Sequence, residues 1–485
     1  MSITKALSNA VSGLTATARG TETVAANLAN VMTPGYARRE MAISAQTLGG
    51  AGGGVRIDGI TRIVNAGLLA ETRLAGSAQT EVATRLTFAK SMEQVVGLPG
   101  DRNGLGTALT EFRAALSEAS TRPDDEIRLS SVLTSATSLA QRLNGASAAV
   151  QAQRSDASQA IALDVRTLNG SLDRVAYLNR RISIISAQGG DTSSLKDERQ
   201  TVIDRINTIV PIQEIPREAG KVALFSAEGA VLLDGSIPSG FQIQTPGHMT
   251  PGMQVGSPSV GRLIINGEEL TASQMRLFSG GTLSANLSIR DELAPELQRE
   301  LDSLAQELHD RMASPGVDPT LAGGDPGLFT DAGTFADPAD IVGLSGRIAV
   351  NSAVDPKAGG ELWRLRGGLQ ATSPGPVGDP AQLFRLSDAL DRVTAPPGSS
   401  AFDGNGTLTQ RFATLESRVS SRRISLEADS AIRNSRAETI TGRFLDDGVS
   451  SDTEMQNLLQ YEQAYAANAR VIQTIDAMLD QILRL

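Results

Sequence analysis

The sequence predicts a mainly α-helical protein in which both chain ends build a long helical bundle and a small β domain is inserted in the middle. Three observations indicate this fold. Prolines are absent from residues 124–210 and 398–485 and frequent from 211 to 397. Because proline is costly inside a helix, the proline-free stretches favour long helices. Apolar residues there recur at helical spacing, whereas the middle contains short apolar runs joined by turn residues.

Length and composition limit the classes of function. The 485 residues predict roughly two to four domains. A net charge of -10 argues against nucleic acid as a partner, and the absence of Cys excludes disulfides and thiolate chemistry. No apolar run reaches the ~18 residues of a membrane span, so we expect no membrane partner. Polar residues interrupt the apolar positions of residues 1–14, so we expect no cleaved secretory signal there.

Catalytic motifs are absent from the sequence. It lacks G-x-S-x-G, H-E-x-x-H, P-loop and EF-hand patterns. The two histidines, His248 and His309, are expected on the surface, and Trp363 is expected in the core. We therefore expect a protein that is not an enzyme and has no catalytic, cofactor-binding or metal-binding residues.

The helical and β segments follow from local signals. The acids after Pro123 mark a helix start, and a helical pattern runs from there to Gly189, with Gly145 and Gly170 as candidate breaks. A second helix is predicted at 194–208. Short apolar runs flank turn signals at Glu228-Gly229 and Asn266-Gly267.

Helical spacing resumes at residue 289, and residues 408–444 and the segment after Gly448 are predicted helices. Residues 314–380 are rich in Gly, Pro and Asp and are candidates for a flexible loop region. We predict three domains: terminal coiled-coil helices (1–45 with 445–485), a helical body (46–210 with 284–444) and the inserted β domain (211–283).

Both ends carry a seven-residue repeat. Leu7, Leu14, Thr21 and Leu28 form one row, with Val11, Ala18, Ala25 and Met32 beside it; Leu458, Tyr465, Ile472 and Leu479 form a row at the other end. Residues 1–32 carry only three charges, at Lys5, Arg19 and Glu22. This pattern predicts close packing on all sides, although an edge of an ordinary globular core has the same periodicity.

Two terminal motifs carry a family resemblance. The string Asn27-Leu-Ala-Asn-Val-Met-Thr-Pro-Gly-Tyr36 and the segment 448–465 resemble the two ends of the bacterial flagellar axial proteins, the rod, hook and hook-associated subunits. Gly59-Ile-Thr-Arg62, Thr121-Arg-Pro-Asp-Asp125 and Leu195-Lys-Asp-Glu-Arg199 resemble the hook–filament junction subunits within that family. The chain departs from the family pattern at Ala26, at Met32 and at Ala37-Arg38-Arg39.

The resemblance implies a structural subunit that is secreted unfolded through the flagellar type III apparatus and forms a ring at the hook–filament junction. Its implied partners are identical subunits, the hook protein, the next hook-associated protein or filament subunit, and an export chaperone. The residues expected to mediate axial assembly are, near the N-terminus, Leu7, Val11, Leu14, Ala18, Asn27, Leu28, Asn30, Thr33, Pro34, Gly35 and Tyr36, and, near the C-terminus, Met455, Leu458, Leu459, Tyr461, Tyr465, Ile472, Ile475, Leu479 and Ile482.

Two alternatives remain at this point. A hook or distal rod subunit shares the terminal motifs, although the long proline-free stretch 124–210 favours the junction subunit. A secreted coiled-coil adhesin is a second alternative, but it would lack the Asn-x-x-Asn-x-x-Thr-Pro-Gly-Tyr string.

Overall fold

The chain begins with a helix followed by a β-hairpin. The computed structural model describes residues 3–48, 51–257, 259–398 and 400–483. Helix α1 spans Ile3–Ala29, and strands β1 (Arg39–Leu48) and β2 (Ala51–Arg62) pair antiparallel. The predicted helical structure from residue 46 is therefore wrong for residues 46–48 and 51–62. Glycines at 52–54 disfavour helix, and Val55 and Ile57 alternate with charged residues at the period of a strand. The division into domains stays a prediction.

Four helices follow the hairpin: α2 (Ala66–Val96), α3 (Leu105–Thr121), α4 (Glu126–Ala187) and α5 (Ser193–Ile209). Helix α4 has 62 residues and is about 93 Å long. Asp125 caps its start by accepting a hydrogen bond from the Ile127 N–H at 2.9 Å, which confirms the predicted helix start. The predicted breaks are wrong, because α4 continues through Gly145 and Gly170.

The inserted region contains two small sheets. Strands β3 (Ile212–Pro216), β4 (Val222–Ser226), β5 (Val231–Asp234) and β6 (Ile237–Pro238) form one antiparallel sheet, and β7 (Phe241–Gln242), β8 (Ile264–Ile265) and β9 (Glu268–Glu269) form the other. Asn266 and Gly267 both have positive φ, at 52° and 90°, and form the predicted tight turn between β8 and β9. A short helix, α6 (Ala272–Met275), follows.

The remaining chain returns to the helical body. Helix α7 (Gly281–Ser288) runs through a π-helical turn (Ile289–Leu293) into α8 (Ala294–Met312). Strands β10 (Phe329–Asp331) and β11 (Ile348–Val350) pair, and helices α9 (Arg364–Gly367), α10 (Ala381–Asp391), α11 (Leu408–Asp446) and α12 (Ser451–Leu483) complete the fold. None of the helices in the described part of the chain combines the length and apolar character that a membrane span needs.

Two large apolar clusters form most of the interior of the described chain, and a small third cluster lies between α2 and α11. The larger cluster joins α2, α3, the first half of α4, α8, α10 and α11, and includes Phe112, Leu139 and Phe412. The smaller cluster joins the second half of α4 and α5 to the first sheet. The loop-rich segment 314–380 contributes Phe329, Leu344 and other buried residues to the larger cluster, so it is packed rather than loose. The mainly α-helical fold with an inserted β region is confirmed.

His309 and Trp363 do not lie where the sequence predicted. His309 is fully buried: its Nε2 accepts a hydrogen bond from the Ala336 N–H at 3.1 Å, so Nδ1 carries the proton and donates to Asp310. Helix α8, which carries His309, is buried on nearly all sides, because its polar residues are buried as well as its leucines. Trp363 is half-buried, with the Arg364 guanidinium 4.9 Å from its ring centroid, and is not a core residue.

Two leucines of α4 allow a matched test of the larger cluster. Leu139→Ala should lower the free energy of unfolding by about 2–5 kcal/mol, because it leaves a cavity in tightly packed surroundings. Leu163→Ala, on the same helix but 56% exposed, should change it by less than about 0.5 kcal/mol. Urea denaturation followed by circular dichroism measures both, and equal effects would contradict the assigned core.

Candidate assembly interface

The two terminal helices pair antiparallel through small residues. Gly13 lies against Asn468, and Gly20 lies against Tyr461, so both contacts repeat every seven residues. A Cβ on Gly20 would come within 2.5 Å of the Tyr461 ring, closer than van der Waals contact allows. The buried residues of α1 are also mostly small; they are Ala10, Ala16, Thr17, Gly20, Thr23, Val24 and Asn27. The seam of this pair is therefore made of small side chains rather than of leucines.

A second side of α1 packs against the hairpin. Ser12 Oγ accepts a hydrogen bond from the Val55 N–H at 3.1 Å. Gly54 has a φ of 99°, and a Cβ at this position would overlap Ser12 Oγ. The helix thus contacts α12 on one side and β2 on another.

Asn27 fixes the end of α1 to the loop that follows it. Its Oδ1 accepts hydrogen bonds from the Tyr36 hydroxyl and the Arg39 N–H, both at 2.9 Å, and its Nδ2 donates to the Arg39 carbonyl at 2.8 Å. Asn27 is 1% exposed, so truncating its side-chain amide would remove all three of these bonds at a site that water reaches poorly. The pKa of Tyr36 is raised, mainly because burial disfavours the charged phenolate. The Arg39 charge opposes this shift, and Asp197 and Glu454 add to it. The phenol therefore stays protonated and donates at neutral pH.

Asp197 on α5 collects donors from the loop and the hairpin. Its carboxylate accepts from Arg39 Nη2 at 2.9 Å, from Arg62 Nε at 2.7 Å and from the Ala37 N–H at 3.4 Å. The side chains of Arg39, Arg62 and Asp197 are each less than a fifth exposed, so water screens these charges weakly. Arg62 also donates to Gln200 and to the Gly35 carbonyl.

Arg38 extends the same connections to the C-terminal helix. Its Nε lies 2.9 Å from Glu454 Oε1, and the Glu454 side chain is almost fully buried. The loop between α1 and β1 therefore contacts the hairpin, α5 and α12 together. We call Arg38, Arg39, Arg62, Asp197 and Glu454 the ionic hub.

The structure divides the predicted assembly residues by exposure. Two are buried within the chain: Asn27 and Ile475. Nine are half-buried: Leu7, Leu14, Leu28, Asn30, Gly35, Tyr36, Leu458, Tyr461 and Ile472. Nine are exposed: Val11, Ala18, Thr33, Pro34, Met455, Leu459, Tyr465, Leu479 and Ile482. The larger apolar members thus lie mainly at or beyond the margin of the helix pair.

Sequence reasoning missed the residues that hold the pair together and in place. Gly13 and Gly20 have the same seven-residue spacing as the leucines, but their only evident property in the sequence was weak helix propensity. Arg62 and Asp197 lie in two of the segments that resemble junction subunits, and Glu454 lies in the C-terminal motif. The location of these three residues in family-like segments was the signal that the sequence offered, although it did not indicate which residues form ion pairs.

Comparisons with known proteins match most of the chain. Residues 89–315 match the family model described as "Flagellar hook-associated protein FlgK helical domain". Residues 447–485 match "Flagellar basal body rod FlgEFG protein C-terminal", and residues 7–36 match "Flagella basal body rod protein". The terminal helices and the helical body are thus each similar to a flagellar family.

Full-length relatives share one name. The chain is 26% identical to flagellar hook-associated protein 1 of Bacillus subtilis, covering 98% of this chain and 97% of the relative. It is 22% identical to flagellar hook-associated protein 1 of Escherichia coli, covering 99% of each. A solved structure of the flagellar hook junction protein FlgK from Burkholderia pseudomallei aligns with a TM-score of 0.45 and 18% identity, over 54% of this chain and 46% of that chain.

Gly20→Ala tests the close approach of α1 and α12. The new methyl group should push the Tyr461 ring away and loosen α12, so hydrogen exchange across Ser451–Leu483 should become faster. The matched control is Gly145→Ala in α4, where no atom lies within 4 Å of the new Cβ. This control should stabilise the protein by about 0.5–1 kcal/mol and leave the exchange of α12 unchanged. Unchanged exchange in Gly20→Ala would contradict the seam.

Asp197→Asn tests the ionic hub. Replacing the carboxylate by an amide leaves two weakly screened guanidinium groups without their shared anion, and we expect the free energy of unfolding to fall by about 2–3 kcal/mol in urea denaturation. Asp58→Asn, which removes the exposed partner of Arg56 on the hairpin, should have almost no effect. If the two variants lose the same stability, the hub does not fix the loop.

Proposed function

Since the chain belongs to the flagellar hook-associated protein 1 family, we propose that it is a structural subunit of the junction between the flagellar hook and filament. The observation that carries the assembly mechanism is the distribution of apolar residues on the terminal helices. The buried residues of α1 are mostly small, whereas most of the larger apolar side chains of both helices stay half-buried or face outward. These outward side chains are suited to contact the terminal helices of neighbouring subunits.

The outward apolar surface extends along both terminal helices. Val11 on α1 and Leu459 and Ile482 on α12 are each about half exposed, and Met32, in the turn after α1, is 89% exposed. Only Glu454 and Ile475 are buried among the described residues of α12. Covering apolar surface stabilises an assembly by about 25 cal/mol per Å², so packing identical subunits side by side would stabilise helices that gain little from their own chain.

We propose a radial arrangement that follows the three predicted domains. The terminal helix pair forms the inner layer, the helical body surrounds it, and the inserted β region faces outward. The ionic hub supports this proposal, because it joins the helix pair to α5 and thereby fixes the angle between the inner layer and the body. Forces along the assembly would pass through this connection.

The proposed partners are further copies of this chain, the hook protein, and the next hook-associated protein or filament subunit. We also propose type III export of the unfolded chain, assisted by a chaperone, and a role without catalysis. The family itself is a structural one. The match of residues 89–315 to the hook-associated helical domain favours a junction subunit over a hook or distal rod subunit, which would share only the terminal matches.

A deletion strain tests this function. Loss of the gene should leave hooks without filaments and release filament protein into the medium, and the native gene should restore filaments. Val11→Asp or Leu479→Asp should yield folded, exported protein that restores no filaments, because a carboxylate buried between subunits costs about 3 kcal/mol or more. Electron microscopy of the cells and assay of the medium measure the outcome.

The control for both variants is Val377→Asp, which places the same charge at an exposed valine of the helical body. It should restore filaments fully. Loss of the hooks themselves in the deletion strain would indicate a hook or rod subunit, and normal filaments with Val11→Asp and Leu479→Asp would exclude the proposed packing surface.

A further inference from the structure

A cavity of about 430 Å³ lies between α2, α6, α7 and the π-helical turn, and Val255 and Arg262 of the inserted region also line it. Its volume is in the range of small-molecule sites. Its lining includes the apolar side chains of Phe278, Leu287, Met275 and Val255. It also includes four arginines, Arg85, Arg262, Arg276 and Arg290. Such a concentration of arginine is unexpected in a chain with a net charge of -10.

Arg290 is the most deeply placed of these groups. It is fully buried, and it lies in the π-helical turn Ile289–Leu293, a distortion that often occurs at functional sites. Its Nε and Nη2 donate to the Asp291 carboxylate at 2.6 and 2.8 Å. Its Nη1 has no hydrogen-bond partner among the residues that the structure describes. A buried charged donor without an acceptor is costly unless a ligand supplies one.

The carboxylate that pairs with Arg290, Asp291, lies close to a second buried cation. Arg154, a second buried guanidinium, donates to the carbonyls of Arg290, Thr250 and Met253 and to no carboxylate in the described part of the chain. The pKa of Arg154 is lowered, mainly because burial disfavours its charged form. The Asp291 carboxylate opposes this shift, and the Arg290 charge adds to it. Asp291 is thus the shared carboxylate for two buried cations. At the rim, Arg276 is exposed and forms no ion pair with any described residue.

We propose that this cavity binds a carboxylate attached to an apolar group. The guanidinium groups would hold the carboxylate through paired N–H donors, and the apolar lining residues such as Phe278 would cover the apolar part. Asp291 and Glu292 also line the cavity, so a dianion such as phosphate would meet more repulsion than a monoanion. The carboxylate could come from a free amphipathic acid or from a glutamate between apolar residues of a peptide segment.

Ligand-observed NMR titrations of the full-length protein test the proposal. The probes are hexanoate, 1-hexanol, inorganic phosphate, and the capped tripeptides Leu-Glu-Leu and Leu-Gln-Leu. We expect saturable binding of one hexanoate or one Leu-Glu-Leu per chain. Binding of hexanoate alone identifies a free acid as the source, binding of Leu-Glu-Leu alone identifies a peptide, and either result supports the site.

Variants at the exposed rim locate the binding. Arg262→Gln and Arg276→Gln should each weaken binding about tenfold, because each removes a charge-assisted contact without disturbing the core. Arg102→Gln, an exposed arginine outside the cavity, should leave affinity unchanged. The proposal is overturned if neither carboxylate binds, if 1-hexanol, Leu-Gln-Leu or phosphate binds at least as tightly, or if all three variants bind alike.

Discussion

The close approach of α1 and α12 at Gly13 and Gly20 is the constraint on which the rest of the terminal region depends. A Cβ at either position would overlap the side chain of Asn468 or Tyr461, which would have to move to make room. Because glycines occupy these contact points on α1, most leucines, valines and methionines of both helices lie at the margin of the contact or on the outer surface, with Val24 as the buried exception on α1. One geometric requirement therefore determines both the pairing within the chain and the apolar surface available for pairing between chains.

A pair held by such a narrow seam needs a second attachment to keep a defined direction. The ionic hub supplies it, since Asp197 joins the loop and the hairpin to α5 while Arg38 joins the loop to α12. These contacts are directional, and the low exposure of the participating side chains makes them stronger than surface ion pairs. An apolar contact of similar size would allow the helix pair to slide or rotate.

The sequence allowed prediction of the elements whose signals are local. Proline positions and apolar spacing located α4, α5, α11 and α12, and Asn266-Gly267 located a turn, because each depends on residues close in the chain. The hairpin was missed because its glycines carry no strand preference. The seam was missed because a seven-residue repeat is normally recognised by its large apolar residues, and burial of His309 depends on a segment 27 residues further along the chain.

Arg38 and Arg39 connect the loop after α1 to two distant parts of the chain. Arg38 pairs with Glu454, and Arg39 pairs with Asp197, so each arginine has an acid positioned to receive it. The partners of these two neighbouring residues lie in different helices, and Glu454 follows Arg38 by more than 400 residues. The loop and the start of α12 therefore act as one structural unit despite lying at opposite ends of the chain. A change of charge at residue 38 is compatible with the fold only if residue 454 remains complementary, because Glu454 is buried and its carboxylate would otherwise lose its counter-charge.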